Sequence, residues 1–418
     1  MRRPLLRFAA AAALLSVGSA GSACWPGNPC PASTPCCSQY GQCGVGAYCL
    51  GGCDPQSSYD LQSCTAKPVC KSENYKLTSL DDVVSNTEYL GDASTANWVS
   101  SGTVVPYAGD SLLLTLAQGT VGTLLMSTHY VWYGKISATM STSQGQGVVT
   151  AFILMSDVKD EIDWEFVGAD VDIAQSNFYW QGVTEYTNGF NISTTDTWQN
   201  SHTYTFDWQP DYMSWAIDGV VGRTVYKNET FNTTDNKYHY PQTPARVQLS
   251  LWPAGLPTNG QGTIDWAGGL IDWSSPYMQN GYYYAVVEEV SVECYSPPSS
   301  VEQNGNQAYY YTNSEGLQSD VAIGNNKTIL GSLFASGDDP DYNPDKTASG
   351  AQATQQTVPG LNGIGNQGLQ GQTGAESAAA PSASSDFVQG NESSSKASTV
   401  VAGSIVALLG FVAAALML

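Results

Sequence analysis

Between residues 64 and 297 polar and apolar side chains alternate over short stretches, and Gly- or Ser-bearing turns separate those stretches. A strand sends successive side chains to opposite faces, so a period of two marks a half-buried strand. The pattern predicts strands over 103–105, 111–116, 135–142, 148–155, 177–180, 203–208, 214–217, 246–252 and 285–294. No long stretch carries the 3.6-residue period of an amphipathic helix. Many short strands at regular spacing predict an all-β fold, a two-sheet sandwich or jelly roll.

The ends read differently. Arg2, Arg3 and Arg7 precede an apolar run over 8–17, and small residues follow. This is the layout of a secretory signal peptide over 1–20, with cleavage after Ala20 or Ala23. The last stretch, 400–418, is apolar and ends without a charge. Upstream stands Gly390-Asn391-Glu392-Ser393 and then a polar spacer, so 391–418 reads as a GPI-attachment signal with Asn391 as the site and Gly390 as the alternative. A plain C-terminal membrane helix is the competing reading, and it lacks a basic stop on the cytoplasmic side. Membrane contact is expected through the anchor only. Residues 345–390, rich in Gly, Gln, Ser and Ala, read as a flexible stalk. Residues 298–344 form a less regular, Tyr-bearing extension, and no solenoid repeat is evident.

Composition narrows the class. The chain has 37 acidic against 15 basic residues, a net charge of −22. That balance excludes non-specific nucleic-acid binding, which needs Lys and Arg against phosphate. It suits a neutral polysaccharide partner. Nine of the ten cysteines lie between Cys24 and Cys70, and the tenth is Cys294. With a signal peptide, this density reads as a disulfide framework over 24–53 and beyond. A zinc site is the alternative, but the segment has no His. Sequons at Asn191, Asn228, Asn232 and Asn326 are expected N-glycosylation sites.

Acidic residues are sparse, yet five fall in 157–165. In Asp160-Glu161-Ile162-Asp163-Trp164-Glu165-Phe166 a strand would place Glu161, Asp163 and Glu165 on one face. Ile162, Trp164 and Phe166 would enter the core from the other. Three carboxyls so close cannot all ionise freely, so a protonated acid should stand beside an ionised partner. Glycoside hydrolysis needs that pairing. Ideal strand geometry puts the Glu161 and Glu165 Cα atoms about 13 Å apart, whereas a retaining mechanism wants carboxyls roughly 5–5.5 Å apart. The side chains must lean together or the strand must curve. A solvated acidic edge and a calcium site are the other readings, although the Gly and Asn turns of a calcium loop are missing. A second strand, 246–252, would set Arg246, Gln248, Ser250 and Trp252 on one face, a hydrogen-bonding row ending in an aromatic platform for a pyranose.

Asp160-Glu161-Ile162-Asp163-x-Glu165 resembles the active-site strand of family 16 glycoside hydrolases. Tyr133-Gly134-Lys135, Gln175-Ser176-Asn177-Phe178, Tyr204-Thr205-Phe206-Asp207-Trp208, Ile217-Asp218-Gly219 and 262–269 follow in family order over 64–297. More closely the chain resembles the fungal Crh-type cell-wall transglycosylases. That resemblance implies a concanavalin-like β-jelly roll with a sugar cleft across one sheet. It implies Glu161 as nucleophile, Glu165 as acid/base and Asp163 assisting both. Glu165, Gln248, Trp252 and Thr263 would contact sugar. Trp252-Pro253-Ala254-Gly255 departs from the family's usual Trp-Ala-Gly-Gly at the following loop. The implied reaction is retaining transfer of chitin to β-glucan at the wall and outer membrane face, by a monomer with no cofactor or metal. A hydrolytic glucanase or chitinase and a non-catalytic wall lectin are the alternatives.

The segment 24–53 resembles the hevein-like chitin-binding module. Its adjacent Cys36-Cys37, followed by Ser38, Tyr40, Gly41 and Cys43-Gly44, carries the match. Ser38, Tyr40 and Tyr48 would be the sugar contacts. Gln42 replaces one aromatic and the loop 43–49 is one residue short, so the module is either a weak chitin binder or a folded spacer. The resemblance implies Cys24–Cys37, Cys30–Cys43 and Cys36–Cys49. Cys53, Cys64, Cys70 and Cys294 allow three connectivities, of which Cys64–Cys70 with Cys53–Cys294 is the one expected.

Overall fold

The structure, a computed structural model, describes residues 22–344. The expected signal peptide over 1–20, the expected stalk over 345–390 and the expected attachment signal with Asn391 lie outside the described residues.

Two sheets of eight strands face each other. One runs, edge to edge, through Phe190–Ser193, Ile173–Tyr179, Glu161–Val167, Val148–Ser156, Ala245–Pro253, Thr123–Val131, Trp98–Ser101 and Val83–Ser85. We call it the site sheet. Its pairs are antiparallel except the last, between Val83–Ser85 and Trp98–Ser101. The opposing sheet runs through Val220–Tyr226, Tyr212–Ile217, His202–Trp208, Gly134–Ser141, Tyr282–Cys294, Ser111–Ala117 and Val104–Tyr107, and Glu73–Lys76 adds to Tyr282–Cys294. Between them lies one core in which Ile162, Trp164 and Phe166 meet Phe152, Tyr204, Phe206 and Trp215, all essentially inaccessible to solvent. Aromatic contacts tie the layers: Phe166 meets Tyr204 edge-on at 4.5 Å, and Phe152 lies 4.7 Å from Phe206. The alternation read from the sequence therefore sets the registration of the sheets, because each inward side chain fills space offered by its opposite number.

The extension over 298–344 is more ordered than its sequence suggests. Ala308–Tyr311 pairs with Val321–Gly324 and with Lys67–Pro68. Tyr309, Val321 and Ile323 join the main core, while Leu330 and Ala335 pack on Cys36, Tyr48 and Cys49 of the module. The extension thus clamps module to sandwich.

All ten cysteines are paired. The structure joins Cys24 to Cys37, Cys30 to Cys43 and Cys36 to Cys49. It corrects the other two expectations: Cys53 bonds Cys64, and Cys70 bonds Cys294. Lys67–Pro68 is held extended against Ala308 and Tyr309. That extension carries Cys70 on the order of 20 Å beyond Cys64, far past the Cα separation a disulfide spans. Cys64 is left with Cys53, and Cys70 reaches the strand end at Cys294.

Candidate active site

Glu161–Val167 lies third from one edge of the site sheet. Its register fixes what stands beside each carboxyl. Glu161 faces Met155 and Tyr179, Asp163 faces Ile153 and Asn177, and Glu165 faces Ala151 and Gln175. Glu161, Asp163 and Glu165 point away from the core, as alternation predicts. Asp163 is 2% exposed and its two neighbours are half-buried. Asp160, just before the strand, serves another purpose. Its carboxylate accepts hydrogen bonds from the backbone N–H groups of Gln181, Gln242 and Thr243 and from the Thr243 hydroxyl. It pins two loops to the strand entrance, and burial still raises its pKa to about 6.

The three face carboxyls all hold protons more tightly than free ones. Loss of solvent raises Glu161 to about 7, with a hydrogen bond from Asp163 pulling the other way. Asp163 is raised well above the carboxylate range, by burial first and then by the charges of Glu161 and Glu165. Glu165 is raised to about 8 by burial and by the charge of Glu161. A protonated Asp163 that donates to Glu161 favours the ionised form of Glu161, while Glu165 keeps its proton. Burial acts on all three carboxyls together, and the middle one also bears the charge of both neighbours.

The back of the strand is braced. The Trp215 indole N–H donates to the Asp163 carbonyl at 2.9 Å. Arg223 stacks 4.7 Å from the Trp215 ring and donates to the Ser176 carbonyl and hydroxyl and the Asn188 carbonyl. Burial lowers the Arg223 pKa to about 10, and Asp163 acts against that fall.

Around the carboxyls the register extends the floor of the face. From Asp163 a row of side chains crosses Ile153, Gln248, Met126 and Val99. Trp252 stands one strand beyond Val149, which pairs with Val167. It stacks on Trp266 with ring centroids 6.1 Å apart, and Trp266 donates to the Gln175 side chain at 2.9 Å. Trp266 closes the helix Gln261–Trp266, and Thr263 lies three residues before it on the same helical face. Trp252 and Thr263 are thus brought to the Glu165 end of the face. Gln248 lies at the Asp163 level and donates to Gln39 of the module at 3.4 Å.

Sequence reasoning did not single out Gln175, Asn177, Tyr179 or Trp266 as site residues. Alternation over Ile173–Tyr179 would have placed the first three, since Ala174, Ser176 and Phe178 are buried. Ser38 and Tyr48 of the module are buried and Tyr40 is half-buried. Among the sequons, Asn191, Asn228 and Asn326 are exposed and Asn232 is half-buried. Asn191 pairs with Gln175 and so sits on the site face, at its edge strand.

The sequence profile described as glycosyl hydrolases family 16 matches residues 92–268. The chain is 54% identical over 325 residues to Crh-like protein 3 of Botryotinia fuckeliana, covering 78% of this chain and 73% of that one. It is 50% identical over 368 residues to Crh-like protein 2 of Aspergillus fumigatus, with 86% and 83% covered. Among solved structures, an apo Crh5 transglycosylase superposes with a TM-score of 0.51 at 30% identity, covering 62% of this chain and 95% of that one. A structure of Crh5 transglycosylase in complex with NAG superposes with the same TM-score and identity, covering 63% and 98%. Sheet order, the carboxylate strand and these relatives agree: the chain belongs to the Crh-like proteins of glycosyl hydrolase family 16.

Proposed function

We propose that this enzyme is a retaining transglycosylase that cleaves chitin and transfers the released chain to β-glucan in the fungal cell wall. The observation that carries the reading is the row of Glu161, Asp163 and Glu165 on one face of the site sheet, with burial raising all three carboxyls. Glu161 attacks the anomeric carbon while Glu165 gives its proton to the departing sugar oxygen, leaving a glycosyl ester on Glu161. Glu165, now ionised, takes the proton of an incoming glucan hydroxyl. That oxygen displaces Glu161 from the anomeric carbon, and two inversions give net retention. Gln248, Trp252 and Thr263 hold sugar on either side of the break, and the Trp252–Trp266 platform favours a pyranose over water in the second step. The readings of 1–20 as a signal peptide and 391–418 as an attachment signal support a location outside the cell on a GPI anchor, with glycans expected at Asn191, Asn228, Asn232 and Asn326.

Incubation with chitin oligosaccharides and a fluorescent β-1,3-glucan oligosaccharide tests this reading. Mass spectrometry should find coupled products longer than the labelled acceptor, and none with Glu161→Gln. New reducing ends without any coupled product would replace transfer by hydrolysis. Full activity in Glu161→Gln would sink the catalytic assignment.

A further inference from the structure

The cysteine-rich module does not stand apart from the site sheet. Its Ser38-Gln39-Tyr40 edge and Tyr48 look across a pocket at Arg246, Met126 and Val99. Met126 and Val99 end the cross-strand row that begins at Asp163. With strands about 4.8 Å apart, they lie on the order of 14 and 19 Å from the catalytic strand. A sugar chain crossing the strands from the carboxyls in the direction of this row would meet the module at Gln39, which bonds Gln248, 3% exposed, between the carboxyls and the pocket.

Two features of the pocket point to a ligand. Ser38 and Tyr48, 2% and 8% exposed, match a chitin-binding module's contacts and line this pocket together with Arg246 instead of standing on the outer surface of the module. Arg246 is 6% exposed, yet its guanidinium makes no hydrogen bond or ion pair among the described residues, and its one ring contact is Tyr130 at 5.9 Å. A guanidinium carries five N–H donors, and those of Arg246, which lines this pocket, are left to whatever fills it, ligand or water. The close approach is built in: a Cβ on Gly51 would stand 2.5 Å from the Arg246 Nη1, and one on Gly52, at φ +81°, would stand 2.7 Å from the Gln39 Oε1. Gln39 in turn accepts the hydrogen bond from Gln248. A single cation among amide, hydroxyl and aromatic groups suits a neutral, oxygen-rich ligand.

We propose that module and sheet together form a composite distal subsite for an N-acetylhexosamine unit of a chitin chain already lying across the carboxyls. Arg246 donates to the acetamido carbonyl or a hydroxyl of that unit, and Gln39 and Tyr40 form the opposite wall. The module therefore measures chain length for the active site instead of anchoring the enzyme to chitin elsewhere. This rests on the reading of the face as a chitin-cleaving site.

The test compares chitotriose and chitohexaose as donors for the full chain and for Arg246→Gln, Arg246→Lys and Gln39→Ala. Tyr59→Ala, exposed and outside the pocket, is the control. The ratio of kcat/KM for hexamer over trimer should fall ~10-fold in Arg246→Gln, the loss of one charged hydrogen bond. It should fall less in Gln39→Ala, recover in part in Arg246→Lys, and stay at the wild-type value in Tyr59→Ala, with the change in KM rather than kcat. An unchanged ratio in folded Arg246→Gln and Gln39→Ala overturns the proposal, and so does an equal loss at both lengths. If Arg246→Gln does not fold, Gln39→Ala on the module edge decides. A binding arm separates this proposal from the reaction: in a Glu161→Gln background, calorimetry with chitohexaose should show the same weakening on adding Gln39→Ala. Weakening there with no turnover by the wild type would overturn the function and keep the subsite; turnover without weakening would do the reverse.

Discussion

Replacing Glu161 by Gln should move the pKa of Glu165 down, because the charge of Glu161 helps to hold Glu165 protonated. The size follows from strand geometry. The two residues are four apart on one strand face, so their Cα atoms are about 13 Å apart. At an effective dielectric of about 20, unit charges at that distance interact by about 1.3 kcal/mol, close to one pKa unit. If the side chains lean together to ~7 Å, the same arithmetic gives nearly two units. Burial, the larger cause, is untouched, so Glu165 in the variant should still titrate above an ordinary glutamate. Carbon-13 NMR of the labelled Glu165 carboxyl across pH would read both values. The variant's fall also measures how far the carboxyls close the gap an ideal strand leaves. A Glu165 midpoint that stays within about 0.3 unit of the wild type would refute electrostatic coupling between the two carboxyls, and with it the division into base and acid.

Stability should also depend on pH. Asp160, Glu161, Asp163 and Glu165 bind protons more tightly folded than unfolded. Their stabilisation is whole below the ordinary carboxylate range and is lost as pH rises through about 6 to 8, so the melting temperature should fall from about pH 5 to about pH 9 and fall less steeply in Asp163→Asn. Asp157 accepts from the Gly52 N–H and the Tyr130 hydroxyl and pairs with buried Lys67 at 3.2 Å; Asp157→Asn should cost about 3–5 kcal/mol in a denaturant titration, because Lys67 loses its counter-charge. Removing Cys70 and Cys294 together opens a loop with a sequence separation of 224, and the chain-entropy model puts the loss near 5 kcal/mol. Trp266→Ala removes the stack on Trp252 and the bond to Gln175 and should shift products from transfer toward hydrolysis, read by chromatography of labelled acceptor.

Much of the fold is legible in the chain because the informative strands are half-polar. Glu161–Val167 and Ala245–Pro253 alternate, and alternation alone assigns each of their side chains to a face. Thr123–Val131 escapes that reading because both its faces are largely covered, and Leu124, Leu125 and Met126 break the alternation. Val220–Tyr226 escapes it for the opposite reason: on this edge strand the apolar Val220, Val221 and Tyr226 lie exposed beside Gly222, so the order of polar and apolar residues does not follow burial. The Cys64–Cys70 expectation fails because short spacing takes no account of the pairing of Lys67–Pro68, which arises only once residues over two hundred positions away come alongside. Arg246 is legible as a member of a polar row. Its unfilled guanidinium and the module opposite it are not, because both depend on a contact between segments distant in sequence.

The Asp157 node also bears on how the architecture can be taken apart. One carboxylate holds a module glycine, a sandwich tyrosine and the lysine that leads from one to the other. Calorimetry should therefore show a single cooperative transition for the two parts rather than two independent ones. A cassette deletion of residues 24–53 would strand buried Lys67, Asp157 and Arg246 in the surviving fold. Loss of activity in such a truncation would report a wounded scaffold before it reported anything about sugar, and a transplanted copy of the module would arrive without half of its own pocket.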